Sequence, residues 1–445
     1  MARPASSRFQ QFEGAESRWL VALEWILAAA GGAFLSLVAP HEIWGDGAIR
    51  YDTLVQLIDQ GKVSPARYSI LHSFLAAPLY ELGKLFGHGM AFASYFNVVV
   101  FLLTLVLLFK MLRRHLAASV LRRTILLLLA ASMFGNHVQQ FYGEVLTACA
   151  AILGFSALAI NRPAIAGLAM CISVINTPSA MLALVLCNGL WALRTRRWIH
   201  AAWPVIVSGI LIALECWWRR GSPTRSGYEG DAGLTTILPY SGLPGFSYPF
   251  LLGVLSLLFS FGKGILFFAP GLLLCHASTP DRREPVVSML AQLGIAFSWG
   301  MLFAHASWWA WSGSIFWGPR FLLVACMPAS FALARHISSS GQKHVGITLL
   351  TVSAIVWSVW VGVNGTVIRE GYPDVCTTNR FNYESVCWYV PEFSTLIHPL
   401  IVRRTLATWG RVYALFGACV ALVLTLPFLA RQVRESAIRG LSRNS

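Results

Sequence analysis

The chain has 445 residues, of which 56% are hydrophobic and only 12% charged. A soluble domain of this length carries roughly a quarter charged residues, so a soluble globular fold is excluded. The net charge of +15 would raise nucleic-acid binding in a soluble protein. Here Lys and Arg read as residues that hold loops on the cytoplasmic side of a membrane, and no nucleic-acid partner is expected.

The apolar residues come in runs. Val98–Phe109, Thr124–Met133 and Leu415–Phe428 carry almost no charge. Such runs are too long for buried strands and read as parts of helices that need about 20 apolar residues to cross hydrocarbon. Spans are expected near 19–39, 91–112, 121–136, 145–160, 163–178, 179–194, 199–217, 257–276, 286–306, 321–336, 345–364 and 410–430. The residues before 19 are polar and no cleavable signal peptide is evident, so the run Trp19–Ala39 is expected to stay in the membrane. The stretch 163–194 reads as one long helix or two, and Pro178 after Asn176 favours a break. The expected fold class is an all-α integral membrane protein, one polytopic domain over 1–445, with about twelve transmembrane helices and interfacial helices in its outer loops.

Charge orients the bundle. Lys110, Arg113, Arg114, Arg122 and Arg123 fill the second connection, Arg162 the fourth, and Arg194, Arg196 and Arg197 the sixth. Arg282 and Arg283 fill the eighth, Arg335 and Lys343 the tenth, and Arg431, Arg434, Arg439 and Arg443 follow the last span. The short third and fifth connections lack Lys and Arg. This alternation places both termini in the cytoplasm, with a bacterial inner membrane as the expected location. It sends the long loops 40–90, 218–256, 306–320 and 364–409 to the outer side, together with Glu42, Asp46, Asp52, Asp59, Asp231 and Asp374. Cys376 and Cys387 lie in the last of these loops and suit a disulfide if it faces an oxidising compartment; the other cysteines fall in apolar runs as small core residues.

The first outer loop reads His41-Glu42-Ile43-Trp44-Gly45-Asp46-Gly47-Ala48-Ile49-Arg50-Tyr51-Asp52. Ala48–Gln60 is amphipathic and is expected to form a helix lying on the membrane. Asp46, at the head of that helix, suits a general base on an acceptor hydroxyl or a ligand for a divalent metal, Mg or Mn. The plainer reading is an N-cap. Span, acid, Arg-Tyr pair and surface helix together resemble the first outer loop of the C-fold glycosyltransferases. These multi-span enzymes, which include protein O-mannosyltransferases and lipid A aminoarabinose transferases, take a sugar from a polyprenyl-phosphate carrier. Their Asp-Glu-x-Arg-Tyr pattern is here Asp46-Gly47-Ala48-Ile49-Arg50-Tyr51, with Gly47 replacing the second acid and one extra residue. The resemblance implies Asp46 as the catalytic acid, with Asp52 as the fallback, and Arg50, Tyr51 and Tyr68 as substrate contacts; His72 reads either as a substrate contact or as a structural residue at the interface. No cofactor is fixed by the resemblance.

Three further landmarks lie on the same side. Glu144 closes the polar third connection and reads either as a group facing the catalytic cavity or as a partner for an Arg of the first loop. Lys263, between Gly262 and Gly264 in apolar sequence, suits a phosphate contact or a snorkelling side chain. Trp308, Trp309, Trp311 and Trp317 form an aromatic belt ahead of Gly318-Pro319-Arg320, and the first three suit stacking on a sugar or lipid tail. Arg320 is expected to share one lipid phosphate with Lys263. The loop 364–409, with Arg369, Arg380, Arg403 and Arg404, is expected to cover the cavity and choose the acceptor.

These readings converge on transfer of a sugar from a polyprenyl-phosphate-linked donor to an acceptor glycan, lipid or protein at the outer face of the bilayer. The rivals are a transporter or flippase for a lipid-linked anion and a glycan ligase using a lipid diphosphate. A transporter would carry charge deep in its spans, where only Glu24 and Glu215 come near.

Overall fold

The structure, a computed structural model, describes residues 17–275, 285–339, 341, 343–369, 371–402 and 405–443. Arg282, Arg283, Arg403 and Arg404 lie outside the described residues, as do the side chains of Arg439 and Arg443. Among the described residues the chain is helical, with isolated β-bridges in place of strands.

Every expected span contains a helix. Among the described residues seven helices are long and apolar enough to cross a membrane: Arg18–Leu37, Gly89–Leu112, Trp198–Arg220, Pro285–Ala306, Arg320–Ser338, Val345–Ile368 and Thr408–Ala437. The other expected spans hold shorter helices, Ala118–Ala130, Gly143–Ala159, Pro163–Asn176, Met181–Thr195 and Phe250–Phe259. Burial accounts for the short length of one of the central ones. Gly143–Ala159 is buried along nearly its whole length against Phe96–Leu112, Pro163–Asn176 and Pro285–Ala306. A helix sheathed by protein need not match the thickness of the bilayer, because its ends are satisfied by neighbours rather than by the interface.

One boundary differs from the hydropathy reading, and one expected break is present. The segment 257–276 is not one helix: Phe250–Phe259 ends early, Ser260–Gly264 is non-helical, and the short turns Ile265–Phe268 and Pro270–Leu274 follow. Two glycines and Pro270 interrupt the backbone where hydrophobicity alone continues. The stretch 163–194 does break, as Pro178 requires, into Pro163–Asn176 and Met181–Thr195 joined by a 3-10 turn.

The amphipathic segment of the 40–90 loop is the helix Asp46–Asp59, and a second helix, Ile70–Lys84, runs from it toward the next span. Glu24 and Glu215 both have structural partners. Glu24 is fully buried between Arg122 and Arg123, with Arg123 Nε at 2.8 Å. Arg123 also donates to Ser338 Oγ at 2.9 Å, which ties the first, third and tenth spans together at that end. Glu215 stands near the loop end instead, accepting from Ser69 Oγ (2.8 Å), Ile70 N (2.9 Å) and Arg219 Nη1 (2.6 Å). Removing the acid of a buried pair leaves guanidinium charge without its counter-ion. Glu24→Ala is therefore expected to cost on the order of 3 kcal/mol, read as a lowered thermal midpoint of the detergent-solubilised protein, whereas exposed Asp52→Ala is expected to leave the midpoint unchanged.

Candidate active site

Backbone pairing brings the loop that follows the first span against the third connection. Glu42 N donates to Gln139 O at 2.9 Å, and Glu42 and Gln140 form an isolated parallel bridge. From behind, Asn97 Nδ2 donates to the carbonyls of Gln140 (2.5 Å) and Tyr142 (2.8 Å), and Asn176 Nδ2 to that of Gly143 (2.8 Å). The helices Asp46–Asp59 and Gly143–Ala159 consequently begin beside each other, each with an acid in its first turn.

Asp46 is not the cap of its helix. The N-cap is Gly45, at φ +55°, and no side chain caps the first turn. The Asp46 carboxylate turns instead to Arg320, whose Nη1 lies 2.7 Å from Oδ2, and it accepts a hydrogen bond from the Tyr68 hydroxyl. Glu144 Oε1 lies 3.3 Å from the same Arg320 nitrogen. Its partner is thus Arg320 and not an arginine of the first loop. The Arg320 side chain is only 7% exposed, and its guanidinium sits 4.2 Å from the Phe316 ring centre, 5.0 Å from Phe321 and 5.7 Å from Tyr142. Aromatic faces and two carboxylates replace the water this cation has lost.

The second wall is built on the segment 64–68. Arg219, at the end of the helix Trp198–Arg220, donates to the carbonyls of Ser64 (2.7 Å), Ala66 (2.8 Å) and Tyr68 (2.6 Å). This clamp presents Tyr68 to Asp46 and lets Arg67 pair with Asp231 at 2.8 Å while lying over the rings of Tyr68 and Tyr228. Arg50 completes the wall. It is 5% exposed, lies 4.5 Å over the Tyr68 ring, and its Nε and Nη1 have no hydrogen-bond partner in the protein. Gly143 leaves room for it, since a Cβ at that position would meet the Arg50 guanidinium where it now lies. A buried guanidinium with unspent donors is a site for an anion.

Burial alone would push the Asp46 carboxyl upward. The charge of Arg320 and the hydrogen bond from Tyr68 outweigh it, and the carboxyl titrates below its ordinary value. Burial and then the Asp46 charge raise the Tyr68 phenol, so it remains a donor.

The other expected site residues stand apart from this cluster. Asp52 is exposed on the far side of its helix. Tyr51 packs edge-on against Tyr80 at 5.8 Å. His72 is fully buried between Phe96 and Phe141 and shares a hydrogen bond of 3.3 Å with Asn97 Oδ1, bracing the third connection. Trp308 meets Tyr228 edge-on at 5.7 Å, at the margin of the site. Trp309 sits on the 218–256 loop, its N donating to Gly245 O at 2.9 Å. Trp311 is buried against Trp388, and Trp317 is buried with its Nε1 donating to Asn364 Oδ1 at 2.8 Å, so the tryptophans do not form one lipid-facing belt. Lys263 does not stand beside Arg320 on a shared opening. It is 0% exposed, and its ammonium donates to the carbonyls of Ser314 (2.8 Å), Phe316 and Gly318 (3.3 Å). Cys376 and Cys387 are joined in a disulfide.

Among the described residues no three His, Cys, Asp or Glu side chains converge, and between Asp46 and Glu144 the position a cation would take is held by the Arg320 guanidinium. The sequence reading missed Arg67, Tyr142 and Tyr228. The signal available for the first was its place beside Tyr68; Tyr228 lies in a loop without periodicity.

No family model matches the sequence, and no curated protein matches it. Among solved structures the chain is similar to ArnT from Cupriavidus metallidurans bound to undecaprenyl phosphate, with a TM-score of 0.52 and 15% identity over 96% of this chain and 79% of that one. The chain shares the fold of that structure, the C-fold. The apo form of the same ArnT also aligns, with a TM-score of 0.48 and 15% identity over 93% of this chain and 76% of that one. In this C-fold chain the Asp46–Arg320–Glu144 cluster occupies the loop end of the bundle.

Because the folded-state carboxyl of Asp46 is depressed, its pairing stabilises the protein above the unfolded value of about 3.9 and is lost as pH falls through the folded value. Asp46→Asn is expected to melt below wild type at pH 7, with the gap closing as the pH is taken toward 3. A gap that persists unchanged in acid would show that the carboxylate charge contributes nothing.

Proposed function

We propose that the protein is a glycosyltransferase that moves a sugar from a polyprenyl-phosphate carrier to an acceptor hydroxyl at the periplasmic face of the bacterial inner membrane, with both termini cytoplasmic. The observation that carries this reading is a carboxylate held by a buried arginine, beside a second buried arginine with unspent donors, at the loop end of a C-fold bundle. ArnT in the similar structure is bound to undecaprenyl phosphate, which supports a lipid-phosphate partner of the same class.

Asp46 takes the proton of the acceptor hydroxyl, whose oxygen attacks the anomeric carbon from the face opposite the phosphate. The bond between that carbon and the phosphate oxygen breaks, its electron pair leaves with the polyprenyl phosphate, and the configuration inverts. Negative charge on the leaving oxygen grows along this path, and donors already aimed at it act without reorganising. Arg50 supplies those donors, and Arg67 stands next to it. Tyr68 and Arg320 hold Asp46 in place. The margin at Trp308 and Tyr228 offers aromatic faces to the sugar. The acceptor is a glycan, lipid or protein hydroxyl, and the described residues supply no metal-ligand set through which to route a step.

The test is release of polyprenyl phosphate from a radiolabelled polyprenyl-phosphate-sugar pool in membranes. Protein-dependent release is expected, falling about 10²–10⁴-fold in Asp46→Asn, the range of a lost general base. A loss of about 10²-fold or more is expected in Arg50→Gln, the cost of one missing oxyanion donor. Release that survives Asp46→Asn moves the base elsewhere. If no donor is consumed while a lipid diphosphate is, the ligase reading replaces this one; if neither is consumed, transport of a lipid-linked anion does.

A further inference from the structure

Lys263 is fully buried and yet touches none of the groups assigned to the reaction. Its ammonium gathers the carbonyls of Ser314, Phe316 and Gly318, so one cation fixes alternate peptides of a loop that has no helix or strand of its own. The backbone of that loop is bent at positive φ at Gly313 (+71°), Ser314 (+58°) and Gly318 (+66°), and it delivers Arg320 directly after Pro319. The same loop supplies the Phe316 ring over which the Arg320 guanidinium lies, and the Arg320 side chain runs across Gly313, where a Cβ would stand 3.1 Å from Nε.

Lys263 is itself caged by the disulfide hairpin. Gly262 N donates to Trp388 O at 3.1 Å, and a Cβ on Gly262 would collide with the carbonyl of Cys387. The Tyr372 ring centre lies 5.0 Å from the ammonium, and the Tyr372 hydroxyl accepts from Trp388 Nε1 at 2.6 Å. Glu384, on the short helix of the hairpin, faces Lys263 as its counter-charge; burial raises its carboxyl to about 7 against the pull of the lysine. Trp388 packs on Trp311 at 4.9 Å, closing the circuit back to the tryptophan-rich loop.

We propose that Lys263 is a positioning residue: held by the Cys376–Cys387 hairpin, it fixes the loop 314–318 and thereby places Arg320 between Asp46 and Glu144. The lysine acts through Arg320 and meets no substrate. Without it the carbonyls of the loop lose their common donor, the loop regains its freedom, and Arg320 no longer protects Asp46.

The test reads that protection directly and needs no turnover, so it stands even if the transferase reading fails. Detergent-solubilised protein is treated at pH 6 with a membrane-permeant carbodiimide and a nucleophile, and labelling of Asp46 and Asp52 is followed by mass spectrometry. Paired Asp46 is expected to label at least five-fold more slowly than exposed Asp52 in wild type. Lys263→Met, and independently the near-isosteric pair Cys376→Ser with Cys387→Ser, are expected to speed Asp46 labelling at least three-fold toward the rate of Arg320→Gln, with Asp52 unchanged. Neither change is expected to add anything in an Arg320→Gln background, since contacts in one chain of action are not additive. The serine pair keeps the test open where the lysine variant does not fold. Asp46 protection that persists in the folded serine pair, or an added effect in the Arg320→Gln background, overturns the proposal.

Discussion

Burying a guanidinium costs several kcal/mol unless other groups replace its water, and Arg320 shows how much of a fold can be organised by that requirement. Its neutralising carboxylates come from residues 46 and 144, its aromatic faces from 142, 316 and 321, and the loop that carries it is tied by Lys263. These groups belong to segments far apart in the chain. None of them can move without exposing a charge to apolar surroundings, so the 40–90 loop, the third connection and the tryptophan-rich loop are fixed relative to one another by electrostatics as much as by packing. Two further acids obey the same rule. Glu24 and Glu215 are each held by arginine.

The membrane fold was legible because the signal is local. Twenty apolar residues are a property of a segment by itself, and Pro178 breaks a helix whatever packs around it. The segment 257–276 marks where this fails: its hydropathy continues through Ser260–Gly264, but the backbone does not, because Gly262 must admit the carbonyl of Cys387. That demand comes from a loop more than a hundred residues away, and no window of sequence contains it.

The site was legible in its residue types and less so in its pairings. Asp46, Glu144 and Arg320 stood out as charge at the edge of apolar runs, Arg50 and Tyr68 through the resemblance of the loop that carries them, and the structure brings the five together. Their assignments to partners did not follow. A lone lysine between glycines reads as an anion contact, and here the acceptors are three carbonyls, which carry no side-chain signature. Asp46 reads as a helix cap, and the position is taken by the φ of Gly45. Arg67 and Tyr228 went unnoticed because the contact that matters, with each other and with Tyr68, joins the 40–90 and 218–256 loops.

Charge counting connects this arrangement to the proposed chemistry. Arg67 is balanced by Asp231, which leaves Asp46 and Glu144 against Arg320 and Arg50, a cluster near neutrality. In the proposed transfer the acceptor proton cancels the charge of Asp46 while the departing phosphate gains one. The sum inside the site does not change; one negative charge travels from Asp46 to the leaving oxygen. Arg320 stands at the start of that path and Arg50 beside the wall that would receive its end. A site with only one of these cations would stabilise either the carboxylate or the phosphate, and would deepen one end of the path at the expense of the other. Two buried guanidiniums, one already paired and one with donors unspent, lower the cost of moving the charge without first having to move themselves.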